Sequence, residues 1–190
     1  MRTERDLLVD CLARLNRLGV PYMLAGSMAS NYWGIPRTTH DLDFVVRLQP
    51  GSVEGLVAAF KDGFFIQGES VEKALRPPYQ FNALDEQSAL KVDFWTLRDD
   101  AFERAAFERR VQFTLFEMPA VITTAEDVIL HKLYRHKLTL SDRQLDDAAG
   151  VYCVQRDTLD TAYLDHWASI LGVQPELHDL TTGKIKPKST

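Results

Sequence analysis

Asp41 and Asp43 stand two apart in the run DLDFVV, residues 41–46, whose other members are apolar. Side chains at i and i+2 of an extended segment share a face, so the two carboxylates are expected side by side while Leu42, Phe44 and Val46 enter a core. Carboxylates held that close repel unless a cation or donor lies between them. Mg²⁺ suits the position, because it is commonly held by one or two carboxylates together with substrate phosphates and water. Asp93, in LKVDFW, repeats the phase on a second apolar run. Three carboxylates around two Mg²⁺ ions would bring a hydroxyl up to a phosphate and neutralise charge on the attacking and leaving oxygens. Upstream, Gly26-Ser27 follows the apolar run Tyr22 to Ala25, and thirteen residues separate Ser27 from Asp41. If a helix begins at about Met28, free N–H groups and the Ser27 hydroxyl offer donors to a phosphate, and Gly26 lets the backbone approach closely.

The surrounding pattern supplies elements to position these groups. Leu8, Cys11, Leu12, Leu15 and Leu18 recur at helical spacing after Thr3-x-x-Asp6, a capping box, and Gly19 ends that helix. A short strand at 22–25 leads through Gly26-Ser27 into a helix ending at Trp33, before Gly34 and Pro36. The strand carrying Asp41 and Asp43 stops before Pro50-Gly51, and residues 52–61 are expected to be helical, with GFFIQ approaching a strand. The stretch 76–87, with its proline pair, is expected as a loop or hairpin crossing. A third strand then places Leu90, Val92 and Phe94 on one face and Lys91, Asp93 and Trp95 on the other. A helix over 99–109 and one or two strands in RRVQFTLFEMPAVIT complete a small mixed sheet.

From residue 124 the character is helical. Thr124-x-x-Asp127 opens one helix, Leu145, Ala148, Ala149 and Tyr152 mark another, and Leu159, Tyr163, Trp167, Ile170 and Leu171 mark a third. The expected organisation is a core over 1–122, a helical segment over 123–180 and a polar, flexible tail over 181–190. The fold class is α/β (α+β), a small mixed sheet flanked by helices.

Composition narrows the function. A 190-residue chain with 45% apolar residues can bury one sizeable core. Its apolar runs are shorter than the roughly 20 residues a bilayer requires, and MRTERDLL is charged and amphipathic, unlike a secretory leader, so a cytoplasmic protein without membrane contact is expected. Cys11 and Cys153 are far apart in helical patterns and are expected as reduced, packed thiols. The net charge of −5 gives no global basic field for nucleic acid. His131 and His136 are five apart, which does not suit two zinc ligands on one helical face. Dinucleotide-fingerprint, P-loop and Gly-x-Ser-x-Gly motifs are all missing.

AGSMASNYWGIPRTTHDLDFVV, followed by LKVDFW, resembles the nucleotidyltransferase superfamily, the DNA polymerase beta-like fold. GIPRTTHDLDFVV, TAEDVILHKLYRH and YLDHWASILGV are similar to its AbiEii-like branch, which includes nucleotidyltransferase toxins of toxin-antitoxin systems. The resemblance implies Mg²⁺-dependent transfer of a nucleoside monophosphate from a nucleoside triphosphate to an acceptor hydroxyl, with release of pyrophosphate. It implies that Gly26 and Ser27 bind the triphosphate, that Asp41 and Asp43 hold the metals, and that Asp93 is the third acid. Lys132 matches a lysine that contacts phosphates, Asp146 an acid in the following helix, with Asp147 an alternative to it, and Arg37 is within sequence reach of a phosphate. The acceptor could be the 3′ end of tRNA, a protein or a small molecule, and a cognate antitoxin is a possible partner. Two other readings remain open: a non-catalytic module of a toxin-antitoxin pair, and metal-dependent phosphoester hydrolysis.

Overall fold

The computed structural model describes residues 2–188, and the last two residues of the expected tail lie outside them. The chain divides into two compact units, the first formed by residues up to Gly26 together with Thr39–Ile122, the second by Ser27–Thr38 and the residues from Thr123 onward. The second unit therefore gathers a short early segment as well as the C-terminal helices.

The first unit carries a seven-stranded mixed sheet among the described residues. Its strands are β1 (Tyr22–Leu24), β2 (Leu42–Val46), β3 (Phe64–Phe65), β4 (Gln80–Asp85), β5 (Lys91–Thr96), β6 (Val111–Leu115) and β7 (Met118–Ile122), in the spatial order β3-β4-β5-β2-β1-β7-β6. β2 runs parallel to β5 and β1 parallel to β7, while the remaining neighbours are antiparallel. Alternation fixes the faces. Phe44, Phe81 and Phe94 are buried, with Phe94 stacked on Phe44 at 5.6 Å and on Phe81 at 5.0 Å between ring centroids. Phe60, from α3 (Val53–Phe60), meets Phe94 edge-on at 5.3 Å. A one-residue slip of β2 or β5 would expose these rings, each worth about 1.5–3 kcal/mol of burial, and drive carboxylates into the core. The hydrophobic register therefore holds the acids on the other face.

α1 (Glu4–Leu18) is capped at both ends as its sequence implies: Thr3 and Asp6 form the capping box and Gly19 takes the left-handed conformation. Leu7, Leu8, Cys11, Leu12 and Leu15 form its buried stripe. Arg2 pairs with Asp10 and with fully buried Asp85, fastening the start of the chain to β4. α4 (Gly68–Lys73) and α5 (Ala101–Arg109) complete this unit's helices.

The second unit is helical: α2 (Gly26–Trp33) belongs to it from Ser27 onward, followed by α6 (Ala125–Thr139), α7 (Asp142–Gln155), α8 (Thr161–Leu171) and α9 (Gln174–Thr181). Small residues let its backbones meet. A Cβ on Gly34 would lie 2.6 Å from the Val151 backbone nitrogen, so only glycine fits where the end of α2 meets α7. The Trp33 indole N–H donates to the Thr123 carbonyl at 2.8 Å, and the Gln155 amide donates to the Trp33 carbonyl at 2.8 Å. Thr124 caps α6, and Asp127 ties that cap to α8 by accepting from Thr124 Oγ1 at 2.7 Å and from the Tyr163 hydroxyl at 2.8 Å. Beyond α9, Lys184 pairs with Asp179, and the Lys188 N–H donates to Asp146.

Several local expectations change. Of the loop and the hairpin crossing expected over 76–87 the hairpin is found, with β4 antiparallel to β5, whereas α4 before it was not expected, α2 begins at Gly26 rather than Met28, and α9 follows the three expected C-terminal helices. Cys153 is exposed instead of packed, whereas Cys11 is buried, which pushes its thiol far above the ordinary range. Among the described residues no helix is long and apolar enough to cross a membrane.

Candidate active site

In the first unit the acids lie along the face opposite the phenylalanine core. Asp43 and Asp93 are direct register partners on the parallel strands β2 and β5, so their side chains leave the sheet on the same side. Asp43 lies against the turn after β1. The Ala25 N–H donates to the Asp43 carbonyl at 3.0 Å, and a Cβ built on Gly26 would sit 2.1 Å from Asp43 Oδ2. Gly26 also has φ +58°, so the position requires glycine on both backbone and spatial grounds. The Trp95 indole N–H donates to Asp43 Oδ1 at 3.3 Å.

Asp93 is mostly covered, with 14% of its side chain exposed. Lys91, two residues earlier on the same face, places Nζ 2.7 Å from Asp93 Oδ2, and the Gln80 amide approaches Oδ1 at 3.5 Å. Asn82 is the β4 register partner of Asp93. Asp41 precedes Leu42, the first residue of β2; it is exposed, and its N–H donates to Thr39 Oγ1.

Gly26→Ala is expected to displace the Asp43 carboxylate and to add roughly 1–2 kcal/mol of backbone strain. A shift near 1 Å at a reacting group costs about 10²-fold in rate. Transfer rates measured beside melting curves would separate that loss from unfolding.

In the second unit buried Ser27, Lys132 and Asp147 cluster with the partly buried Arg37. Arg37 is held by a reciprocal clasp with Asn31, whose amide donates to the Arg37 carbonyl at 2.7 Å and whose oxygen accepts the Arg37 N–H at 3.1 Å. The guanidinium then grips Asp147 bidentately, Nε to Oδ1 at 2.6 Å and Nη2 to Oδ2 at 2.8 Å, and Nη2 also donates to Ser27 Oγ at 2.9 Å. Lys132 Nζ donates to Asp147 Oδ2 at 2.7 Å from a side chain only 8% exposed. Burial alone would raise the Asp147 carboxyl, but the Arg37 hydrogen bond and the Lys132 charge outweigh it and hold the group below the usual carboxylate range. A guanidinium and an ammonium are the donor types that grip a phosphate oxygen.

The sequence-derived site residues thus fall into two sets. Gly26, Asp43 and Asp93 gather in the first unit; Ser27, Arg37 and Lys132 gather in the second. The acid that joins the second set is Asp147, whereas Asp146 accepts the Lys188 N–H. Sequence reasoning assigned no role to Gln80 or Asn82. Their signal was the alternation Gln80-Phe81-Asn82-Ala83, which marks a strand despite the prolines before it.

Among the described residues no three His, Cys, Asp or Glu side chains form a ready metal cage. The Asp43–Asp93 pair supplies hard oxygen donors on one face, and that is enough for a Mg²⁺ ion whose remaining ligands are phosphates and water. The donor set fits such an ion.

Neither a protein-family profile nor a curated protein matches this sequence. Similarity appears in three dimensions. A solution structure of the antibiotic-resistance factor ANT(2″)-Ia superposes with a TM-score of 0.63 at 14% identity, covering 97% of this chain and 100% of that one. A crystal structure of ANT(2″)-Ia in complex with adenylyl-2″-tobramycin gives 0.58 at 14% identity, covering 88% and 95%. An antigenic nucleotidyltransferase-like protein from Paracoccidioides brasiliensis gives 0.56 at 13% identity, covering 98% and 94%. The mixed sheet with its flanking helices resembles the fold of these nucleotidyltransferase structures.

Proposed function

We propose that this chain is a Mg²⁺-dependent nucleotidyltransferase that moves a nucleoside monophosphate from a nucleoside triphosphate to an acceptor hydroxyl. The observation that carries the reading is the pairing of Asp43 with Asp93 on one face, with Asp43 seated against Gly26. The fold shared with ANT(2″)-Ia supports it, as does the sequence resemblance to the superfamily.

In this reading Asp43 and Asp93, with Asp41 ahead of the strand, hold Mg²⁺. The ion, when bound, neutralises phosphate charge and polarises the phosphorus under attack. The acceptor oxygen bonds to the α-phosphorus as the bond from that phosphorus to pyrophosphate breaks. The electron pair leaves on pyrophosphate, and the acceptor proton passes to Asp93. Ser27, Arg37 and Lys132 take the phosphates, and Asp147 acts as a positioning residue that holds both cations. Most of the acceleration then comes from orientation and fixed charge. A tRNA acceptor and a place beside a cognate antitoxin follow from the AbiEii-like sequence resemblance.

A second reading, a non-catalytic module with the same fold, is favoured by one observation: Lys91 already neutralises Asp93. Product analysis decides between them. Incubation with Mg²⁺ and each α-labelled NTP, in the presence of total tRNA or tobramycin, is expected to leave label on an acceptor with pyrophosphate released. Free nucleoside monophosphate alone would indicate hydrolysis, and intact triphosphate in every reaction would favour the module.

A further inference from the structure

The sheet of the first unit has two edges of unequal character. β3 ends it on one side with only two residues, whereas β6 ends it on the other with five, Val111-Gln112-Phe113-Thr114-Leu115. β6 contains no charged residue and no proline, and no bulge interrupts its register, so it lacks the devices that blunt an open strand. Val111, Gln112 and Thr114 are exposed, while Phe113 and Leu115 are half-buried.

Register fixes which backbone groups look outward. β6 and β7 join through Phe116 and Glu117, both at positive φ, so the flanking Leu115 and Met118 exchange backbone hydrogen bonds as the pair that closes the hairpin. Antiparallel pairs alternate. Phe113 with Ala120 and Val111 with Ile122 are therefore bonded pairs, whereas Gln112 with Val121 and Thr114 with Pro119 are not. Pro119, which has no N–H, agrees with that phase. The N–H and C=O of both Gln112 and Thr114 point away from β7.

We infer that β6 is a self-pairing edge, to which a second copy of this chain adds its own β6, antiparallel, about a two-fold axis through Phe113. In that register each Gln112 exchanges both backbone bonds with Thr114 of the other copy, and every outward group of the edge is satisfied. Phe113 meets its counterpart as an unbonded pair, the closer kind, on the face that carries buried Ala120, and Val111 comes to lie opposite Leu115. Charge order selects a second copy in this direction. Arg109 and Arg110 precede the strand and exposed Glu117 follows it, so each basic start meets the acidic end of the other copy; Glu108 is already engaged by Arg47. A parallel copy would set arginine beside arginine. The contact is isologous and closes as a dimer, because the pairing uses the same edge on both copies.

Sedimentation equilibrium of the full chain, with backbone-amide hydrogen exchange on the same samples, tests this. As concentration rises through the micromolar range the wild type is expected to pass from 21.6 kDa to twice that mass, with the Gln112 and Thr114 amides gaining protection over the same range. Thr114→Pro removes an outward N–H that β7 does not use, so it is expected to melt like wild type yet associate at least about a hundredfold more weakly. Gln112→Pro repeats the test at the other outward position. Thr114→Val keeps the backbone group and is expected to dimerise as wild type does, whereas Glu117→Arg, which opposes like charges at both ends, is expected to weaken association about tenfold. A wild type that stays monomeric, a dimer whose Gln112 and Thr114 amides exchange freely, or a dimer indifferent to both prolines would overturn the inference.

Discussion

Asp43→Asn is expected to lower nucleotide transfer by at least about 10³-fold, roughly 4 kcal/mol of transition-state stabilisation, while the protein melts within a few degrees of wild type. The substitution keeps the size and an oxygen that can still accept from the Trp95 indole, so the wall around Gly26 is conserved. What disappears is the charge that a hard cation requires. Asp43 is only partly buried on the face away from the phenylalanine core, so stability and function separate cleanly at this residue. A variant that melts normally and still transfers at the wild-type rate would remove Asp43 from the mechanism.

Asp147→Ala has the largest expected effect on stability. Its carboxylate neutralises Arg37 and Lys132 at the same point, and both it and Lys132 are more than nine-tenths covered. Removing this member takes a buried counter-charge from both cations at once, at a cost of about 3–5 kcal/mol, or a melting temperature lowered by roughly 10 °C. The effect depends on pH in a definite direction. Because the folded carboxyl lies below the ordinary range, its contribution is complete above the unfolded value near about pH 4 and is lost as pH falls through the lower folded value. The gap between wild type and variant is therefore expected to be full at neutral pH and to close under acid. Denaturant titrations of both proteins across that window would measure it, and a gap independent of pH would contradict the ion-pair account.

The strands bearing the acids were legible because β2 and β5 alternate cleanly between phenylalanine or valine and polar groups, and one misplaced residue would reverse both faces. The capping box at Thr3 and the N-cap at Thr124 were equally plain. β4 was left open between a loop and a hairpin because its polar positions and the prolines before it imitate a loop, and its strand state comes from pairing with β5. Nor does local sequence say that Ser27–Thr38 joins the helices from Thr123 onward, since that grouping rests on contacts such as Arg37 with Asp147, 110 residues apart. The ambiguity between Asp146 and Asp147 was resolvable in part. Asp147 shares a helical face with the buried Gly150 and Val151, at i+3 and i+4, so it is the acid that turns inward. Lys132 likewise looked like a lysine lying along an apolar stripe, and only its buried partner distinguishes it.

The most direct test of the central claim is a calorimetric titration of Mg²⁺ with each nucleoside triphosphate into wild type and Asp43→Asn. The account predicts binding of at least one triphosphate that requires the cation and that weakens by tenfold or more in the variant, a loss of about 1.4 kcal/mol or greater. Binding that is indifferent to Mg²⁺ and to Asp43, or no binding of any triphosphate, would contradict it.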